Sequence, residues 1–206
     1  MKRTLILTAM LSAMVTLHAQ GIKFGLIAGV DVSNPTNGAE MTKLGYRFGM
    51  KAESDFSNNT FLNVSVLLAS KGYKTPVYYD GAAHGGGLAR TNPCYAEVPI
   101  HFGYKLQTGN SVKLFADLGP YFGIGIFGKS LHVGRENTRF EQGNVFKNEL
   151  MNRLDFGAGV NIGAEFWGKC QVSVGYDWGF KDIDHEQYSN LNSKNRVFKV
   201  TVTCFL

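Results

Sequence analysis

Leu44-Gly45-Tyr46-Arg47-Phe48-Gly49-Met50-Lys51-Ala52-Glu53-Ser54-Asp55-Phe56 alternates along its whole length. Successive side chains of an extended chain point to opposite faces, so Leu44, Tyr46, Phe48, Met50 and Ala52 share one face, and Gly45, Arg47, Gly49, Lys51 and Glu53 share the other. One face is oily and the other is small or charged. The run is about twice the five or six residues of a common soluble strand.

Outward from this segment the same period recurs. Ile22, Phe24, Leu26, Ala28 and Val30 alternate with Lys23, Gly25, Gly29 and Asp31. Six further segments read as strands at residues 61–73, 95–106, 112–127, 152–167, 170–182 and 195–206. These make eight strands. The connections alternate in length: short at 57–60, 107–111 and near Gly168-Lys169, and long at 33–43, 74–94, 128–151 and 183–194. Short turns on one rim and long loops on the other are the habit of outer-membrane barrels, with the short turns and both termini periplasmic. The predicted fold is all-β: an eight-stranded antiparallel up-and-down transmembrane barrel.

Alternation alone does not say which face is outside, since a soluble barrel around a ligand turns its oily face inward. Three features favour lipid. Aromatics gather near strand ends, with Phe56, Phe61, Tyr104 and Phe166 toward the short turns and Tyr46, Phe156, Trp178, Phe180 and Phe198 toward the long loops, as two interfacial girdles would. The opposite face carries Gly119, Gly123, Gly125, Gly157, Gly159 and Gly163 among charges that an apolar ligand cavity would not contain. The chain also closes on an alternating strand, Phe198, Val200, Val202, Cys204 and Leu206.

Met1-Lys2-Arg3 followed by an apolar run over 4–17 reads as a secretory signal peptide, too short for the roughly 20 residues of a spanning helix. Residues 1–19 are expected to be removed, leaving a single barrel domain at 20–206. No cysteine follows the cut, so no lipid anchor is expected. The chain has 21 Lys and Arg against 16 Asp and Glu, and two of the cations sit in the signal segment, so its basicity is no argument for nucleic acid.

Parity turns Lys23, Arg47, Lys51, Lys105, Lys113, Lys181 and Lys199 inward against Asp31, Glu53, Asp55, Glu97, Asp117, Asp155, Glu165 and Asp177. A pore would show one sign in excess. Near balance instead predicts an ion-pair network filling a barrel whose interior is only wide enough for side chains. Its expected members are Arg47, Lys51, Glu53, Glu97, His101, Lys113, Asp117, Asp155, Glu165, Asp177 and Lys199. A channel or proton path through Glu97 and His101 is the competing reading, and Pro99 marks a bend or bulge.

Catalysis finds no support in spacing: His84, His132 and His185 lie on three different loops, and none is fixed beside a nucleophile. No enzyme activity, metal or cofactor is expected. Lys129, Arg135, Arg139 and Lys147 mix with Glu136, Glu141 and Glu149, which reads as a solvated loop whose cations could meet lipopolysaccharide phosphates. Cys94, Cys170 and Cys204 have no CxxC spacing. A last hairpin centred near residue 187 would set Cys170 opposite Cys204, with or without a disulfide, and leave Cys94 at the far rim.

Leu68-Ala69-Ser70-Lys71-Gly72, Tyr95-Ala96-Glu97-Val98-Pro99-Ile100, Phe115-Ala116-Asp117-Leu118-Gly119-Pro120-Tyr121 and Asp155-Phe156-Gly157 together resemble the PorT-like outer-membrane β-barrel domain family of the Bacteroidetes group, related in shape to small OmpX-type barrels. The resemblance implies a surface or structural barrel acting through its loops, or an accessory factor in protein secretion or envelope assembly. Implied partners are outer-membrane lipids, lipopolysaccharide, the barrel assembly machinery and a secretion or envelope protein. A lipid-modifying enzyme and a small channel are the other roles that such a barrel could serve.

Overall fold

Eight long alternating strands pair one after another into a closed ring. The computed structural model describes residues 21–36, 41–78, 86–133, 139–147, 151–183 and 193–206, and the expected signal peptide lies outside them. Ten strands form one antiparallel sheet: β1 (Ile22–Ser33), β2 (Lys43–Asp55), β3 (Thr60–Ser70), β4 (Tyr73–Tyr78), β5 (Gly86–Gln107), β6 (Val112–Val133), β7 (Arg139–Gln142), β8 (Leu154–Phe166), β9 (Cys170–Asp182) and β10 (Lys194–Phe205). Eight of them, all but β4 and β7, close a ring through the β5–β6 and β1–β10 pairings.

The registers fix the shape of that ring. Stepping across paired residues from Ile22 leads through Ser54, Leu62, Phe102, Leu118, Val160, Tyr176 and Phe198 back to β1 at Val32, ten residues on. A stagger of ten residues over eight strands, with about 3.3 Å per residue and 4.7 Å between strands, tilts the strands by about 40° from the barrel axis. That tilt suits a membrane barrel. The strands β1, β2, β3, β8, β9 and β10 run 11 to 13 residues, enough for the roughly 9 to 11 that a tilted span needs.

The faces are inverted relative to a soluble protein. Leu118 is 67% exposed, Val66 60% and Ile162 58%, whereas Asp31 and Lys71 are fully buried. No large apolar patch of this kind survives in water on a monomer. The expected girdle residues Phe56, Tyr104, Tyr46, Phe156, Trp178, Phe180 and Phe198 are exposed on the outside. Phe61 is not: it is fully buried inside, beneath Lys105 and edge-on to Phe115, in space that a side chain at Gly103 would occupy. Phe166 is half-buried. Trp167, 73% exposed, takes its place at the short-turn rim, where it and Gly168 both hold positive φ in the three-residue connection 167–169 between the ladder partners Phe166 and Cys170, with Lys169 N donating to Phe166 O. This is the turn geometry that matches strand twist, reached here with a tryptophan at a left-handed position.

Two segments expected as loops are strand. β5 and β6 are 22 residues each, and their upper halves, flanked by β4 and β7, extend the sheet past the barrel over residues expected at 74–94 and 128–151 to be loop. The bulge falls not at Pro99, which pairs with Tyr121 in regular register, but at Cys94/Tyr95, where β6 holds Ile126 as an extra residue. That is the level at which the strands leave the ring. Cys170 does stand opposite Cys204.

Closure has a direct readout. Unboiled protein extracted in detergent should migrate differently from boiled protein, because a ring without edges resists being peeled apart. Identical migration, or recovery in a soluble fraction, would contradict a membrane barrel.

Candidate functional site

Strand parity sends a column of polar side chains into the lumen, and they associate in three tiers. At the short-turn end Lys105 bridges Glu53 and Glu165, the latter at 2.8 Å, and reaches Asp55 at 3.3 Å. Gln171 donates to Glu53 and Glu165, each at 2.9 Å, and accepts from Lys51 at 2.7 Å. Rings close this end, with Lys105 4.7 Å from the Phe61 centroid and Lys51 5.8 Å from that of Phe115.

The middle tier centres on Asp177. Arg47 donates to Asp31 through two nitrogens, at 2.5 and 3.1 Å, and to Asp177 at 3.2 Å. Lys199 takes the other Asp177 oxygen. Beside them Asp117 accepts from His101 Nδ1 at 2.7 Å, Asn161 at 2.5 Å and Asn63 at 3.3 Å. A cavity of about 40 Å³ lies between these groups, lined among others by Arg47, Lys51, His101, Asp117 and Lys199. It is large enough to hold water.

Toward the long loops Lys71 binds Glu97 and, at 3.0 Å, Asp155. Tyr121 and Asn195 donate to the same Asp155 carboxylate at 3.3 and 2.8 Å, and the Lys71 ammonium lies 4.3 Å from the Tyr121 ring centroid. Above this tier the lumen is apolar: Tyr95, Val145, Phe146, Met151 and Ile183 form a buried cluster. Val145 and Phe146 reach it because the turn at 144–147 folds inward, tied by Val145 N to Gly128 O and Phe146 N to Asn144 Oδ1. Gly125 leaves the space that the Phe146 ring fills. Among the described residues this cluster fills the lumen at this end.

Among the expected members, Arg47, Lys51, Glu53, Glu97, His101, Asp117, Asp155, Glu165, Asp177 and Lys199 are buried in these tiers. Lys113 is half-buried near the short-turn rim, outside them. Lys23 and Asp55 pair at 2.9 Å at the same mouth, partly exposed. Lys71 was absent from the expected set; continuing the odd-numbered inward parity of β3 by one step would have found it. The balance also differs. Among the described residues five buried cations, Arg47, Lys51, Lys71, Lys105 and Lys199, face seven buried carboxylates, and neutral donors on Asn63, Asn161, Gln171, Asn195 and Tyr121 make up the difference. A buried carboxylate with two or three donors is satisfied without a cation of its own.

His84, Arg135, Glu136, Glu149 and His185 lie outside the described residues, as do the side chains of His132, Arg139 and Glu141. Lys147 is exposed beside the inward turn. No group of three or more His, Cys, Asp or Glu among the described residues has the geometry of a metal site.

Comparison with known proteins agrees with the architecture. No curated protein sequence matches the chain. Among solved structures it is similar to Neisserial surface protein A, at 13% identity and TM-score 0.47 over 90% of this chain and 97% of that one. It is also similar to the outer membrane enzyme PagL, at 15% identity and TM-score 0.49 over 88% and 99%, and to the attachment invasion locus protein Ail of Yersinia pestis, at 12% and 0.40 over 90% and 97%. The sequence model of the outer membrane protein beta-barrel domain matches residues 16–185. With most of its length so matched and eight strands closed around a charged lumen, the chain belongs to the outer membrane β-barrel domain family, a family of the bacterial outer membrane.

Proposed function

We propose that the protein is a sealed, non-enzymatic barrel that carries a β-sheet platform outside the bilayer and recognises an external or envelope partner through it. The observation that carries this reading is the length of β5 and β6: at 22 residues each, they are about twice a membrane span. Roughly ten residues of each, about 30 Å of extended chain, are in excess of what the bilayer requires. Such an extension stabilises nothing in lipid. Among the described residues β7 pairs only with β6, and the far side of β4 is bridged only at Lys74, to Met41, so β7 and the rest of β4 leave sheet edges on which a partner strand can be added. Arg90 and Lys129 are exposed on the same platform, at the height of lipopolysaccharide phosphates.

In this reading the short turns and termini face the periplasm and the platform faces outward. A photo-crosslinking residue at Arg90 or Lys129 in intact cells should give reproducible adducts, and the same residue at Asn110 in a short turn should not. Adducts only from Asn110 would favour the secretion-accessory role that the PorT-like resemblance implies. Deleting the protein should leave the lipid A profile unchanged; an altered profile would revive a lipid-modifying role.

Sealing is tested separately. Among the described residues, ion-paired tiers, a cavity of about 40 Å³ and an apolar cluster leave no continuous aqueous path, so planar bilayers containing the protein should show no conductance steps. Stable, reproducible steps would overturn the sealed barrel.

A further inference from the structure

Cys170 opens β9 and Cys204 lies near the end of β10, and they are direct cross-strand partners with sulfur atoms 3.6 Å apart. Phe205 N donates to Lys169 O at 2.7 Å, the bond that flanks this pair on the outer side. An antiparallel pair flanked by ladder bonds, rather than joined by them, is the non-hydrogen-bonded kind, with Cα atoms about 4.5 Å apart and side chains closer than in the alternate pairs. That separation lies inside the range of about 4.4 to 6.8 Å that a disulfide spans. Cys204 is exposed and Cys170 half-buried, and both stand at the short-turn rim, at the start of β9 and the end of β10, where an oxidant in the adjoining water has access. We propose that Cys170 and Cys204 are a dithiol–disulfide site, a covalent clasp across the last hairpin that is closed by a periplasmic thiol oxidant.

The chemistry is thiol–disulfide exchange with an oxidant that carries a disulfide. The thiolate of one cysteine attacks the oxidant's disulfide, forming a mixed disulfide and expelling one oxidant thiolate. The second cysteine's thiolate attacks the protein sulfur of that bond and expels the other. The pair loses two protons and two electrons, and the oxidant is reduced to a dithiol. β10 is the strand whose opposite edge closes the barrel on β1, so the clasp ties the closing strand to β9 at the rim. Only the register observed makes it: a slip of one residue pair would separate the sulfurs by about two residues of rise, near 7 Å. Cys94 is buried on β5 opposite Ser70 and Phe127, far from both, and serves as an internal control.

Purified folded barrel is incubated with oxidised glutathione, quenched in acid, denatured and labelled with a polyethylene glycol maleimide. The expected result is one labelled thiol, Cys94, rising to three after reduction. Three labels without reduction, or glutathione adducts persisting on Cys170 and Cys204, would overturn the clasp. Cys170→Ser and Cys204→Ser should each retain a single glutathione adduct on the surviving partner while keeping heat-modifiable migration. The periplasmic location of the oxidant rests on the orientation proposed above. A membrane-impermeant maleimide applied to intact, reduced cells reports that orientation alone: labelling of Cys170 or Cys204 there would reverse the barrel and leave the pair's chemistry to the purified protein.

Discussion

Asp177→Ala is expected to destabilise the barrel by about 3 to 5 kcal/mol, the cost of removing one partner from a buried charge cluster and leaving the others unpaired. Asp177 is shared by Arg47 and Lys199 in the middle of the lumen. Arg47 keeps Asp31 after the change, but no other carboxylate is paired with Lys199 among the described residues. Its ammonium is then left beside the small cavity it lines with Thr201, Thr203, Asn161 and Asp117, with no carboxylate in direct contact. Urea unfolding in lipid vesicles, followed by loss of heat-modifiable migration, measures the effect. The double change Asp177→Leu with Lys199→Met should recover most of it, because replacing a buried pair by apolar residues of similar volume is often close to neutral. A small loss in Asp177→Ala would mean that water in the adjoining cavity solvates Lys199 well enough to replace the carboxylate.

The same tiers explain which parts of this molecule its sequence displays. A face between lipid and a polar lumen imposes strict alternation, so β2, from Leu44 to Glu53, shows both its secondary structure and its orientation. Residues beyond the lipid carry no such constraint, since even an inward side chain there can be polar, as Thr91 and Ser130 are, buried 3.3 Å from one another. Arg90, Thr91 and Asn92 on β5, and Lys129 and Ser130 on β6, are polar on both faces, and the platform therefore reads as loop although it is strand. Phe61 fails for a different reason. Its parity, shared with Asn63 and Ser65, points inward, but an aromatic beside a short turn imitates a girdle residue, and only the space at Gly103 on a strand distant in sequence reveals where the ring goes. Val145-Phe146 is likewise an apolar pair in a polar stretch, and its role as a plug depends on tertiary contacts with Tyr95 and Ile183. The interior charges are legible one by one through parity, whereas their partnering depends on the ten-residue stagger of the closed ring. Lys71 and Asp155, 84 residues apart, meet only because of it.

Leu118→Arg is the corresponding test of the outside. Leu118 is 67% exposed and lies between Phe102 and Val160 on the oily line that circles the barrel, one residue from Asp117 in the middle tier. A cation at mid-bilayer depth on a barrel exterior costs about 2 to 4 kcal/mol, roughly a 30- to 700-fold fall in the ratio of folded to unfolded protein at 1.4 kcal/mol per decade. Leu106→Arg is the matched control. Leu106 is also outward and 54% exposed, but it stands at the end of β5 beside the short turn, where a long side chain reaches the headgroups and the cost falls to about 0 to 1 kcal/mol. The depth dependence is the informative quantity, because in water both substitutions would replace an exposed apolar side chain with a soluble one and neither would be costly. Equal and small effects in lipid vesicles would place the exterior of this barrel in water, and the inverted burial of its residues would then need a protein partner rather than a bilayer to cover it.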